Sequence, residues 1–149
     1  DFYREYNLDN LEIEELLKRS DIVTLHVPLD ESTKYMLTGD KLALMKKSAI
    51  LINLARGGLV DEIALKNMLS NKLLAAAGFD VFLEEPPQDQ ELLNLPNFLV
   101  TPHIGGSTIE AQLNIADFVP SRIMDYINAL SNKPRFILNH LNTTGSYCH

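Results

Sequence analysis

At 149 residues the chain is long enough to bury one hydrophobic core and short for two. Its 46% hydrophobic and 22% charged content, with a mean hydropathy of −0.04, is that of an ordinary globular protein. A net charge of −7 argues against a nucleic-acid partner, which needs clustered Lys and Arg, and no apolar run nears the roughly 20 residues of a membrane helix.

Strands and helices are expected to alternate. Asp9 or Asn10 can cap a helix running through Lys18, with Leu11, Leu16 and Leu17 among its apolar contacts. Residues 22–27 (IVTLHV) read as a buried strand that ends at Pro28, and His26 within it reads as structural. Thr38 can cap a helix over residues 41–46, and residues 49–54 (AILINL) read as a second strand. Asp61 can cap a third helix that carries Leu65 and Leu69 on one face. Residues 75–81 and 98–101 are the third and fourth strands.

From Ser107 the apolar positions Ile109, Leu113, Ala116, Pro120, Ile123, Ile127 and Leu130 step by fours and threes along one helical face. Pro120 lacks the amide that the helix needs there, so a kink or break is expected. Short, nearly continuous apolar strands separated by helices indicate an α/β chain with a parallel sheet covered on both faces, the doubly wound architecture. The organisation expected is one partial nucleotide-binding domain over residues 1–130 and a polar tail over 131–149, in which His140 and His149 have no evident partner. The single cysteine, Cys148, permits no internal disulfide and fits a reducing, cytoplasmic setting; no signal peptide is visible. The first residue is Asp1 rather than methionine, so a stretch from within a longer polypeptide is expected.

Three segments each lie just past a strand end, where open α/β sheets bind ligands. In Asn53-Leu54-Ala55-Arg56-Gly57-Gly58 a guanidinium on a tight turn can grip a carboxylate with two parallel hydrogen bonds. In the segment from Asp80 through Glu84, Glu85, Pro86 and Pro87, a carboxylate sits beside a stiff Pro-Pro turn. In Thr101-Pro102-His103-Ile104-Gly105-Gly106 a histidine stands between a strand and a helix start. Singly these are a surface arginine, an acidic loop and an incidental histidine. Together they supply a carboxylate clamp, a group that moves protons near neutral pH, and a carboxylate that fixes its tautomer. No metal site is expected.

The segments SDIVTLHVPL, ILINLARGGLVDE, AAGFDVFLEEPP and NFLVTPHIGGST, in this order and spacing, resemble the D-isomer-specific 2-hydroxyacid dehydrogenases from about Asp9 to about Ala116. Within that family the EEPP form followed by an acidic stretch is most similar to the D-3-phosphoglycerate dehydrogenases. The resemblance implies an NAD-dependent oxidoreductase that moves a hydride between the cofactor and C2 of a small-molecule D-2-hydroxy acid or 2-keto acid, in a parent that is a homodimer. It implies that Arg56 holds the substrate carboxylate, His103 is the general acid and base, and Glu85 hydrogen-bonds His103. It places Asp80 at the nicotinamide end, Leu54, Ala55, Arg56, His103, Gly105 and Gly106 along the cofactor pocket, Val27 in the loop lining it, and Asp1 at the adenosine ribose.

The family's G-x-G-x-x-G turn is not among these 149 residues, nor is its substrate domain. The chain is therefore expected to be weak or inactive by itself, with the edge of its first strand open to association. Two other readings remain at this point: a non-catalytic NAD-binding scaffold or corepressor-like relative, and an inert fragment.

Overall fold

Four short strands, β1 (Ile22–Leu25), β2 (Ile50–Asn53), β3 (Ala76–Phe79) and β4 (Phe98–Val100), pair in parallel in the order β1-β2-β3-β4. They belong to a computed structural model that describes residues 5, 6 and 8–131, divided into two units at Gly105 and Gly106. Asp1, His140, Cys148, His149 and the tail from residue 132 lie outside the described residues.

In the first unit the strands are joined by helices α1 (Ile13–Arg19), α2 (Gly39–Leu42), α3 (Glu62–Ser70) and α4 (Gln90–Leu93). Each strand alternates strictly because only one face of the sheet is covered. Val23, Leu25, Leu51, Ala77, Phe79 and Phe98 point into the core, where they meet Leu17 of α1, Leu42 of α2, Leu65 and Leu69 of α3 and Leu92 of α4. Phe79, Phe82 and Phe98 form an aromatic cluster there, the closest pair having centroids 5.4 Å apart in an edge-on arrangement. On the other face Ile22 is 60% and Leu99 72% exposed, and a shallow apolar groove runs across Ile50, Ile52, Ala76 and Gly78. The parallel, Rossmann-like sheet expected from the sequence is present. Within the first unit all four helices bury their leucines in the one core, so the other face of the sheet is not covered by them. The apolar runs that suggested two covered faces include side chains that stand open.

Helix boundaries follow local chemistry. Asp61 caps α3 by accepting from the Ala64 amide at 3.0 Å, as expected. Asp89 caps α4, a helix that the sequence did not announce, by accepting from the amides of Glu91 and Leu92, and it also binds Lys66 of α3 at 2.8 Å. Neither Asp9 nor Asn10 caps α1. Glu12 stands at that position without a side-chain bond, and Asp9 instead pairs with Arg19 at 3.1 Å. Thr38 occupies the N-cap of α2 without a side-chain bond, and the helix covers Gly39–Leu42 rather than residues 41–46. β1 stops at Leu25, so His26 is not a strand residue; it is exposed and lies 3.0 Å from the Thr24 hydroxyl.

The second unit contains α5 (Ile109–Ser131). The helix continues through Pro120 without a break, so the missing amide is accommodated within it. Its apolar positions Ile109, Leu113, Ile123 and Ile127 are all exposed.

Candidate active site

Because the strands are parallel and in step, their carboxyl ends line up. Leu25 is opposite Asn53, Asn53 opposite Phe79, and Phe79 opposite Val100. The amide of Asp80 donates to the Asn53 carbonyl and that of Thr101 to the Phe79 carbonyl, which carries the register one residue past the strands. Val27, Ala55, Asp80 and Thr101 thus emerge along one edge.

At the end of β2, Asn53 is buried to 1% exposure, and its amide group closes the turn that follows. Its Nδ2 donates to the Arg56 carbonyl at 3.0 Å, and its Oδ1 accepts from the Ala55 amide at 3.2 Å. The turn needs the two glycines after it for different reasons. Gly58 has φ +78°, and a Cβ on Gly57 would lie 1.8 Å from the Phe82 carbonyl oxygen. Arg56 is thereby presented at the surface. Its Nη1 donates to the Ala55 carbonyl at 2.6 Å, and it forms no ion pair with a described carboxylate. Leu54 beside it is 54% exposed.

The ends of β3 and β4 are locked by Asp80. This carboxylate is only 3% exposed, and a charge so placed requires partners. Its Oδ1 accepts from the Thr101 hydroxyl at 2.5 Å and the Ile104 amide at 2.9 Å, while Oδ2 accepts from the Gly105 amide at 2.8 Å. Burial pushes the Asp80 carboxyl up, but these three donors together outweigh it and leave the group below the usual aspartate range. The bonds wrap the backbone around His103, which adopts a left-handed conformation with φ +52°.

Within that turn His103 Nδ1 meets Glu85 Oε2 at 2.7 Å. Glu85 Oε1 accepts in turn from the Phe82 amide at 3.0 Å. The hydrogen bond to His103, helped by the Phe82 amide, holds the Glu85 carboxyl below the usual glutamate range. An ionised carboxylate can only accept there, so Nδ1 of the neutral ring carries the proton and donates it as a hydrogen bond, which leaves Nε2 as the free basic nitrogen. A cavity of about 450 Å³ opens beside this pair, walled by Phe82, Pro86, Pro87, Leu93 and Val100.

Of the residues proposed from sequence, Glu85 bonds His103 and Asp80 bonds Gly105, two hydrogen-bonded pairs on the one turn over residues 101–105. Val27, Leu54, Ala55 and Arg56 lie on the neighbouring strand ends. Gly106 begins the second unit, with open space where a Cβ would be. Asn53 and Thr101 stand first in their segments, but sequence reasoning gave neither a role. Asn53 and Asp80 are the buried polar side chains among the described residues. A polar residue closing an apolar strand was the signal that could have singled out Asn53.

A family model described as D-isomer specific 2-hydroxyacid dehydrogenase, NAD binding domain, matches residues 2–105. The chain is 50% identical over 112 residues to the D-3-phosphoglycerate dehydrogenase of Methanocaldococcus jannaschii, covering 75% of this chain and 21% of that protein. It is 44% identical over 132 residues to the glycerate dehydrogenase of Methylorubrum extorquens, covering 86% and 41%. Among solved structures it resembles the NAD-complexed D-isomer specific 2-hydroxyacid dehydrogenase from Lactobacillus delbrueckii ssp. bulgaricus, with a TM-score of 0.64, 34% identity, and coverage of 88% of this chain and 43% of that one. The chain spans between about a fifth and two-fifths of the length of these curated relatives.

Proposed function

The chain belongs to the D-isomer specific 2-hydroxyacid dehydrogenase family, within its NAD-binding domain, and on that premise we propose that its parent polypeptide interconverts a D-2-hydroxy acid and the corresponding 2-keto acid. The observation that carries this reading is the 2.7 Å bond between Glu85 and His103 at the same sheet edge as Arg56. In oxidation His103 Nε2 takes the hydroxyl proton as C2 gives up its hydride; in reduction the protonated ring returns the proton to the carbonyl oxygen. Glu85 holds the ring with Nδ1 engaged, so that Nε2 is the atom presented to substrate. Arg56, on its exposed turn, grips the substrate carboxylate with two parallel hydrogen bonds and so fixes which face of C2 is presented.

The donor chemistry of the strand ends fits a nicotinamide dinucleotide. Exposed Leu54 and half-buried Val27 and Ala55 form an apolar margin suited to a flat ring, and the backbone around Gly105 lies beside Asp80. NAD, when bound there, supplies the acceptor or donor of the hydride. Asp80 acts mainly by holding the His103 turn; its Oδ2, which accepts from the Gly105 amide, keeps a second lone pair that a donor on the cofactor would use. Similarity to phosphoglycerate, glycerate and glyoxylate enzymes leaves the acid as a small 2-hydroxy acid, 3-phosphoglycerate among them. The parent is proposed to be a cytoplasmic homodimer, and the 149-residue chain by itself to be weak or inactive.

The test is turnover of 2-keto acids by the intact parent with NADH. His103→Ala should lower kcat by a factor on the order of 10²–10⁴ with little change in cofactor affinity. Cofactor binding without turnover in the wild type would instead establish a non-catalytic NAD-binding scaffold.

A further inference from the structure

Glu62 is the first residue of α3 and lies in the same connection as the Arg56 turn, yet its side chain reaches across to the segment that carries Glu85. Its Oε1 accepts from the Leu83 amide at 2.8 Å, twenty-one residues further along the chain. Next door, the Phe82 amide is taken by Glu85 itself at 3.0 Å. Two consecutive amides are therefore held by two carboxylates, one belonging to the loop and one brought from outside it. On the other side of the same peptide, the Phe82 carbonyl packs so closely on Gly57 that no Cβ fits between them. The Phe82 ring is anchored among Phe79 and Phe98. Residues 83–86 are otherwise exposed and belong to no strand or helix.

We infer that Glu62 is a positioning residue, which through the Leu83 amide fixes the Glu85–His103 pair relative to Arg56. This rests on the reaction proposed above and deepens it. A bare helix N-terminus attracts an acidic side chain for its dipole alone, but that interaction needs no bond to a distant loop. The distinction is chemical. A dipole partner must carry charge, whereas an acceptor for the Leu83 amide needs only a correctly placed oxygen. Glu62 is half-buried, and burial is the main cause that pushes its carboxyl above the usual glutamate range, opposed by the Leu83 amide and reinforced by Asp89 and Asp61.

The experiment compares Glu62→Gln, Glu62→Ala and Asp61→Ala in the intact parent. It adds the imidazole ¹⁵N spectrum of His103 in the same proteins. Gln keeps a carbonyl oxygen for Leu83, so it should retain at least half of wild-type kcat and a neutral His103 protonated at Nδ1. Ala at Glu62 should lower kcat by about tenfold or more, as expected when reacting groups shift by an ångström or less. It should also raise KM for the keto acid and give His103 a mixture of tautomers. Asp61→Ala removes the helix cap without touching Leu83. It should lower the thermal midpoint with kcat and tautomer unchanged. The inference is overturned if Glu62→Gln and Glu62→Ala lose activity equally, or if Glu62→Ala keeps the wild-type tautomer and kcat and loses only thermal stability. Should the wild-type parent prove inactive on every keto acid, the functional reading fails, and the His103 spectrum still decides the role of Glu62.

Discussion

Glu85 and His103 lie eighteen residues apart and meet because β3 and β4 end side by side and Asp80 folds the His103 turn back toward the Glu85 loop. The free energy that holds this geometry depends on ionised carboxylates. The folded-state carboxyl of Glu85 sits below its unfolded value, so the stability it contributes is fully present above about pH 4.3 and is lost as pH falls through the folded value. Thermal midpoints measured from pH 6 down to pH 3 should therefore drop less steeply for Glu85→Gln than for the wild type. Equal slopes would show that the pair adds nothing to stability. Arg56 presents a different case, since its guanidinium is exposed and, among the described residues, bonded only to the neighbouring carbonyl. Arg56→Lys should raise KM for a 2-keto acid about tenfold or more in the parent while sparing the fold, because an ammonium cannot make two parallel bonds to a carboxylate. Unchanged KM would remove Arg56 from substrate binding.

Among the elements, the two loops at the carboxyl ends of β2 and β3 behave as one body. Backbone packs on backbone where Gly57 faces the Phe82 carbonyl, and neither peptide can yield without disturbing the turn of Arg56 or the loop of Glu85. Gly57→Ala should therefore cost on the order of 1–3 kcal/mol, the usual range for overpacking, and lower parent turnover along with stability. The check is a denaturant titration beside a kcat measurement; a variant within about 0.5 kcal/mol of wild type would mean the two loops move independently. The sequence made Gly57 visible only as a turn residue. Its contact with Phe82, twenty-five positions away, was not legible because it depends on how two loops cross. By contrast, the Asp61 cap of α3 was legible, since capping is decided within four residues.

For the first unit, among the described residues, the dominant fact is the sheet face that its four helices leave uncovered. Ile22, Ile50 and Leu99 stand exposed on it, β1 ends the sheet, and α5 independently exposes Ile109, Leu113, Phe118, Ile123 and Tyr126. Exposed apolar area on this scale, together with a strand edge that no described residue pairs with, favours association. The 149-residue chain is expected to form dimers or larger species at micromolar concentrations, and light scattering that showed a monomer throughout would contradict this. Leu99→Lys, on the open face and away from the strand-end cluster, should shift the equilibrium toward the monomer.

The pattern of apolar runs, the Asp61 cap and the order of the four motifs determined the α/β class and the parallel sheet, because each is encoded within a few neighbouring residues; Arg56, Glu85 and His103 were singled out by the motifs that carry the family resemblance. Which face of the sheet would be covered was decided only by the packing of the four helices, since a run such as AILINL is equally apolar whether one side or both are buried. The same holds for the hydrogen-bond partners of Asn53, Asp80 and Glu62. A carboxylate or amide in a sequence has no fixed partner, and it acquires one only when parallel strands of matched register bring the backbone amides of a distant loop within hydrogen-bonding distance.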